Sequence, residues 1–264
     1  MIAKLPKYAL WMALALLLWF AIAVFGPKFG LVDWKFALGT MVRSVGPILI
    51  GITALVALIA LVAVLWKGPR GQWWKAAIAL AIPAALMGGL ASVASTASSV
   101  PPIHDVATDT ANPPTFSAAT MEKREEFGAN PVNDYQAPLG ELDAWKEALA
   151  DSPLASQSHA QVIAEGYPDL KPIAFTVPRD KAMAQVSAAM SDIGLTDIRS
   201  DVQAGTVEGT AETFAFGFKD DVVARVGDGV IDLRSVSRVG LSDLGYNAAR
   251  LRELAEAIES RLGE

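Results

Sequence analysis

The chain has 264 residues, a formal net charge of −6, two histidines and no cysteine. The missing cysteine excludes disulfides, thiol catalysis and cysteine-ligated zinc. The charge is divided sharply: residues 1–100 hold eight Lys/Arg against Asp33 alone, net +7, and residues 101–264 hold fourteen against twenty-seven Asp/Glu, net −13. A basic, apolar front half therefore precedes an acidic rear half. The rear half lacks the basic face that phosphate contacts require, which argues against nucleic acid.

Three apolar runs open the chain, at residues 8–25, 46–66 and 75–97, each near the ~20 residues that cross a bilayer core. They make residues 1–100 a membrane domain of three transmembrane helices whose first partner is the lipid bilayer. Trp66, Trp73 and Trp74 mark a membrane–water interface. Lys4, Lys7, Lys67, Arg70 and Lys75 fall on one side, and Lys28, Lys35 and Arg43, with Asp33, on the other. Under the positive-inside rule this bias predicts a cytoplasmic N-terminus and a periplasmic rear domain, in the inner membrane of a bacterium. The spans hold almost no polar side chain at mid-depth, Thr53 standing alone in the second, which lowers a transport reading. In the third span Ala84, Gly88, Ser92 and Thr96 recur every fourth residue. Such a small-residue stripe permits close helix contact, within its own bundle or with a partner's membrane helix.

Residues 101–138 read as an extended, proline-rich arm, because Pro101, Pro102, Pro113, Pro114 and Pro131 interrupt regular structure. Residues 139–264 read as a soluble α+β domain. A short helix is expected over 139–149, with Leu142, Trp145 and Leu149 on one face, and a further turn of helix over 158–166, with His159 on its surface. A strand over 171–177 precedes a helix opened by Pro178 or Arg179, apolar at Met183, Val186, Met190 and Ile193 and closed by Gly194. Strands are expected over 196–202, 206–216, 221–227 and 230–239, with a two-residue hairpin turn at Asp228-Gly229. The last helix carries Leu244, Ala248, Leu251, Ala255, Ile258 and Leu262 at helical spacing behind a Ser242 or Asp243 cap. The whole is an α+β fold: three transmembrane helices, then a small antiparallel sheet covered on one face by two helices.

A two-residue turn at 228–229 makes paired residues sum to 457 and sets Arg225 opposite Asp232, Val223 opposite Arg234 and Asp221 opposite Val236. Side chains 221, 225, 232, 234 and 238 then share one sheet face, while Ala224, Ile231 and Leu233 share the other. Three outcomes compete for the charged face: a salt-bridge lattice that braces the sheet, an arginine site for a carboxylate or phosphate, or a surface that meets a partner or receives the proline arm.

Several motifs together carry a resemblance. They are His104-Asp105-Val106, Thr108-Asp109, Pro113-Pro114-x-Phe116, Tyr167-Pro168, Phe218-x-Asp220-Asp221-Val222-Val223-x-Arg225, Asp232-Leu233-Arg234-Ser235-x-Ser237-Arg238-x-Gly240 and Asp243-Leu244-Gly245-x-Asn247-x-x-Arg250. Over about residues 103–262 the chain resembles the family catalogued as domain of unknown function 1499, found in bacteria and in chloroplasts. The resemblance implies a location outside the cytoplasm and carries over no activity and no catalytic residue.

Catalytic chemistry finds little support in the residues. His104-Asp105 offers an oriented base and Ser235, Ser237 or Ser242 a nucleophile, but no G-x-S-x-G elbow accompanies them. His104 with Asp105 and Asp109 offers at most an unspecific hard-cation site. No phosphate loop or dinucleotide fingerprint occurs, and no cofactor or metal is expected. The candidate binding residues are Arg225, Arg234, Arg238, Asp221, Asp232, Asp243, Asn247, Arg250, His104 and Asp105. The leading reading is a non-enzymatic, membrane-anchored accessory or binding protein of a membrane complex. The alternative is a periplasmic binder or enzyme acting on an anionic small molecule or lipid headgroup through the arginines.

Overall fold

The computed structural model describes residues 4–263. It divides into two units, Met1–Thr96 with Thr213–Gly217, and Ala97–Glu212 with Phe218–Glu264.

The first unit holds three helices long and apolar enough to cross a membrane: Leu5–Phe25, Phe36–Lys67 and Arg70–Ser99. Their α-helical parts are α1 (Leu5–Phe25), α2 (Gly46–Lys67) and α3 (Trp73–Ser99). The second span starts earlier than its apolar run, because Phe36–Val45 winds as a π-helix ahead of α2. Alanines let the three backbones approach: Ala9 and Ala13 of α1, Ala57 and Ala60 of α2, and Ala76 and Ala79 of α3 form one buried cluster. The later stripe on α3 does not join it. Ala84, Gly88, Ser92 and Thr96 are exposed within this unit.

The second unit is α+β. Its six strands are β1 (Asp105–Ala107), β2 (Ile173–Ala174), β3 (Thr196–Asp201), β4 (Thr206–Glu212), β5 (Lys219–Val226) and β6 (Val230–Ser237). The main order is β1-β6-β5-β4-β3, and β2 also pairs with β6, every pairing being antiparallel. The expected hairpin register holds: Arg225 pairs with Asp232, Val223 with Arg234 and Asp221 with Val236. Gly229 takes φ 77°, a left-handed conformation that glycine adopts without steric cost.

Two helices, α6 (Arg179–Asp192) and α7 (Tyr246–Gly263), bury Met183, Val186, Met190, Leu251, Leu254 and Ile258 in a core shared with Val222, Ala224, Ile231 and Leu233. This is the sheet face opposite the arginines. The N-terminal turn of α7 is held by Asp243, whose carboxylate accepts from the Gly245 and Asn247 amides, each at 2.8 Å.

Several expectations are corrected. Residues 101–138 are not extended throughout, since they contain β1 and α4 (Ala118–Phe127). Helix α4 is capped by Ser117 and ended by Gly128 at φ 66°. The helix expected over 139–149 is a 3-10 turn, Leu139–Glu141, followed by hydrogen-bonded turns. Its apolar residues are nonetheless core: Leu139 and Trp145 are fully buried. The strand expected over 171–177 shrinks to Ile173–Ala174, because the outer edge of β6 is shared with β1. Strand β4 ends at Glu212 rather than 216, and Phe216 takes φ 64°. His159 lies in the core at the start of α5 (His159–Gly166), not on the helix surface.

Candidate functional site

The charged sheet face is roofed by the segment that follows β1. Phe116 and Val132 pack on Val223 and Val236, forming a small apolar island between the charges. The arginines and aspartates around that island are therefore largely removed from water, and each has to be paired.

Asp105 of β1 is completely buried and takes a two-pronged contact from Arg234 of β6, Nε to Oδ1 at 3.0 Å and Nη2 to Oδ2 at 2.7 Å. The Tyr135 hydroxyl donates to Oδ1 at 2.5 Å and the Asn133 amide to Oδ2 at 3.2 Å. Burial pushes the Asp105 carboxyl up, but the guanidinium and its hydrogen bonds outweigh burial and hold it below the usual carboxylate range. Arg234 spends its remaining hydrogens on the arm, Nη1 on the Pro114 carbonyl at 3.1 Å and Nη2 also on the Asn133 carbonyl at 3.2 Å. It lies over the Tyr135 ring, 4.8 Å from the centroid.

A second knot centres on Asp221. Arg238 reaches it with Nε at 3.0 Å and Nη2 at 2.7 Å, and Arg124 of α4 with Nη1 at 2.6 Å. Arg124 also donates to the Val236 and Asn130 carbonyls, so α4 is pinned to the sheet by a charged residue on its buried side. At the other end of α4, Glu208 of β4 accepts from the Ser117 amide, from Ser117 Oγ at 2.8 Å and from Thr120 Oγ1 at 2.5 Å. A carboxylate there meets the positive end of the helix. The third pair, Arg225 with Asp232 at 2.7 Å and Asp109 at 3.0 Å, is the most open, with the arginine side chain 27 % exposed.

The opposite face carries a quieter polar chain. Asn247 of α7 donates to the His104 carbonyl at 3.0 Å and to Ser237 Oγ at 2.9 Å, and accepts from Ser235 Oγ at 2.6 Å. Arg250 links Asn247 and Ser235 to Asp220, the last at 2.7 Å. Asp243 stands apart from the arginine pairs as the helix-holding carboxylate. Burial outweighs its backbone hydrogen bonds and raises its pKa to about 6.

The His104-Asp105 dipeptide does not form a base with its orienting acid, since the Asp105 side chain goes to Arg234 and Tyr135. The His104 ring stacks on Trp145, centroids 4.6 Å apart at 13°, with Nδ1 against the Leu241 carbonyl at 3.3 Å. Trp145 Nε1 in turn donates to the Pro102 carbonyl at 2.6 Å. His159 donates from Nε2 to the Asp105 carbonyl at 2.8 Å. Burial lowers the His104 pKa to about 4 and lowers that of His159 as well. Among the described residues no three His, Cys, Asp or Glu side chains converge to hold a metal ion.

These shifts set a pH dependence. Each histidine is neutral in the fold and titrates near 6.5 when unfolded, so its contribution is complete above that pH and declines as pH falls toward the folded value. Asp243 acts in the opposite sense, gaining stability as pH falls from 6 toward 4. Between about pH 7 and about pH 5, His104 removes about 2 kcal/mol and Asp243 returns about 1. His159 adds to the loss, so urea titrations are expected to find lower stability at the acid end. Asp243→Asn should steepen that decline, and a flatter decline would contradict the assignment.

Beside the Asp221 knot, a cleft of about 360 Å³ opens between α4 and the ends of β3, β4 and β5. Lys123, Lys219 and Arg238 share its lining with Glu126, Asp197 and Glu212. Sequence reasoning missed Arg124 and Glu208. The available signal was the pair of caps, Ser117 and Gly128, that bound α4.

Comparison with known proteins adds one result. A family model described as "Protein of unknown function (DUF1499)" matches residues 105–258. No curated protein matches the chain, and no solved structure does.

Proposed function

Because the chain belongs to the DUF1499 family of proteins of unknown function, no activity comes with its membership, and we propose that it is a non-enzymatic accessory protein of a membrane complex. Three spans anchor the α+β domain, which on this reading stands on the periplasmic side of a bacterial inner membrane with the N-terminus in the cytoplasm. The bias of five basic residues against three between the two sets of short loops supports that topology. One observation carries the non-enzymatic reading. The motif residues that could have served chemistry are committed to one another, with Arg225, Arg234 and Arg238 all closed onto carboxylates.

The surface offered to a membrane partner is the outward stripe of α3, Ala84, Gly88, Ser92 and Thr96, where a Cβ added at Gly88 would meet nothing within 4 Å. The test is extraction of the chain at native expression in a mild detergent, with its mass read on native gels. A complex larger than the chain alone is expected, and Gly88→Leu should dissolve it. A lone polypeptide in both cases would overturn the reading.

One observation favours the second reading, a binder of a small anion. Lys219 lines the cleft beside α4 and is in no ion pair with a carboxylate among the described residues. Calorimetry with small dicarboxylates and phosphate monoesters would register heat that Lys219→Gln abolishes.

A further inference from the structure

One end of the helical unit differs from the other in a way that spanning a membrane does not require. The cluster that packs Ala9, Ala60 and Ala76 also takes in Leu5, Leu61 and Leu80, so the N-terminus of α1, the C-terminus of α2 and the N-terminus of α3 share that end. Lys4, Lys7, Lys67, Arg70 and Lys75 lie there, and the sequence places no acidic residue in 1–32 or 34–104. None of these five cations is in an ion pair among the described residues. The connection from α2 to α3 is short, its middle a 3-10 turn over Arg70–Gln72, so its cations cannot spread apart.

Three tryptophans stand among them, Trp66, Trp73 and Trp74, exposed by 76 %, 52 % and 47 %. Lys67 lies over the Trp66 ring at 5.0 Å and Lys75 over Trp74 at 5.5 Å. The opposite end carries Lys28, Lys35 and Arg43 with one such contact, Lys35 over the Trp34 ring at 5.6 Å, and there Asp33 supplies a carboxylate that accepts from the Lys35 and Phe36 amides.

We propose that this rim, centred on Lys67, Arg70 and Lys75, is a binding site for the phosphate-bearing headgroup of an anionic phospholipid. The cations supply charge at headgroup depth, where basic residues attract anionic lipid. The indoles fix that depth, since their amphipathic rings settle at the interface. The cation–π contacts hold two of the lysines beside their own interfacial indoles rather than free in solvent. A purely topogenic role would need the Lys and Arg residues alone and would be indifferent to the indoles. The proposal rests on the three spans and not on the accessory role.

The test is native mass spectrometry of the full chain released from vesicles of equal phosphatidylglycerol and phosphatidylcholine. Retained lipid is expected to be phosphatidylglycerol, enriched roughly tenfold. The triple change Lys67→Gln, Arg70→Gln, Lys75→Gln should abolish the enrichment, and Lys28→Gln with Lys35→Gln and Arg43→Gln should leave it. Because charge removal can alter insertion, the variant Trp66→Ala, Trp73→Ala, Trp74→Ala keeps every cation and should lower the enrichment several-fold. Equal retention of both lipids by the wild type, or enrichment that survives the change of Lys67, Arg70 and Lys75, would overturn the proposal. So would displacement of the lipid by millimolar inorganic phosphate, which would assign the site to the free ion.

Discussion

Asp105→Ala is expected to destabilise the second unit by about 3–5 kcal/mol, because it leaves the Arg234 guanidinium buried without a counter-charge. The same change strands the Tyr135 hydroxyl and the Asn133 amide, both of which donate to that carboxylate. In a unit of this size the loss lowers Tm by about 10 °C or more. Arg234→Met alone should cost a similar amount through the orphaned carboxylate. The double variant Asp105→Ala, Arg234→Met should cost clearly less than the two together, since a buried pair replaced by apolar groups loses its desolvation penalty with its attraction. Arg234→Lys should not rescue, because an ammonium cannot reproduce the two-pronged contact. Thermal unfolding of the full chain in detergent, followed by circular dichroism, checks all four, and strict additivity in the double variant would refute the pairing.

Asp221→Ala should be at least as damaging, at about 3–5 kcal/mol, because a single carboxylate there serves two arginines on different elements. Removing it leaves two like charges in a buried site, and α4 loses its ion pair to the sheet. The readout that separates this from general loss of stability is local. Amide exchange in Ala118–Phe127 is expected to rise before exchange in β5 and β6 does. Uniform acceleration across the unit would show instead that Asp221 supports the sheet as a whole. Asp221→Asn should fall between the two, keeping the shape and losing the charge.

Much of this architecture was legible because it follows local rules. The Asp228-Gly229 turn fixed the β5–β6 register, and the register alone put Asp221, Arg225, Asp232 and Arg234 on one face and Ala224, Ile231 and Leu233 on the other. Apolar periodicity found α6 and α7. It could not find α4, whose buried residues are Thr120 and Arg124, so the stripe that anchors it is polar. The hairpin arithmetic placed Arg225 with Asp232 and put Arg238 and Asp221 on one face. It could not choose Asp105 for Arg234, a partner 129 residues away on a strand of three residues. The assignment of His159 to a surface failed for a similar reason. Position in a short helix says nothing of which side a distant segment will cover, and here Tyr135 and Trp145 cover it.

The contacts of β6 also govern how this unit can be made. Arg234 meets Asp105, and the Asn247 side chain meets the His104 carbonyl 143 residues earlier in the chain. The first residues synthesised after the third span therefore wait for the last helix before their polar groups are satisfied. Such ordering places the unit among folds dominated by non-local closure, which fold slowly for their size. It also makes the unit indivisible. A fragment lacking either β1 or α7 would hold an arginine or a serine–asparagine pair without its partner, and should be cleared as misfolded rather than persist as a smaller domain.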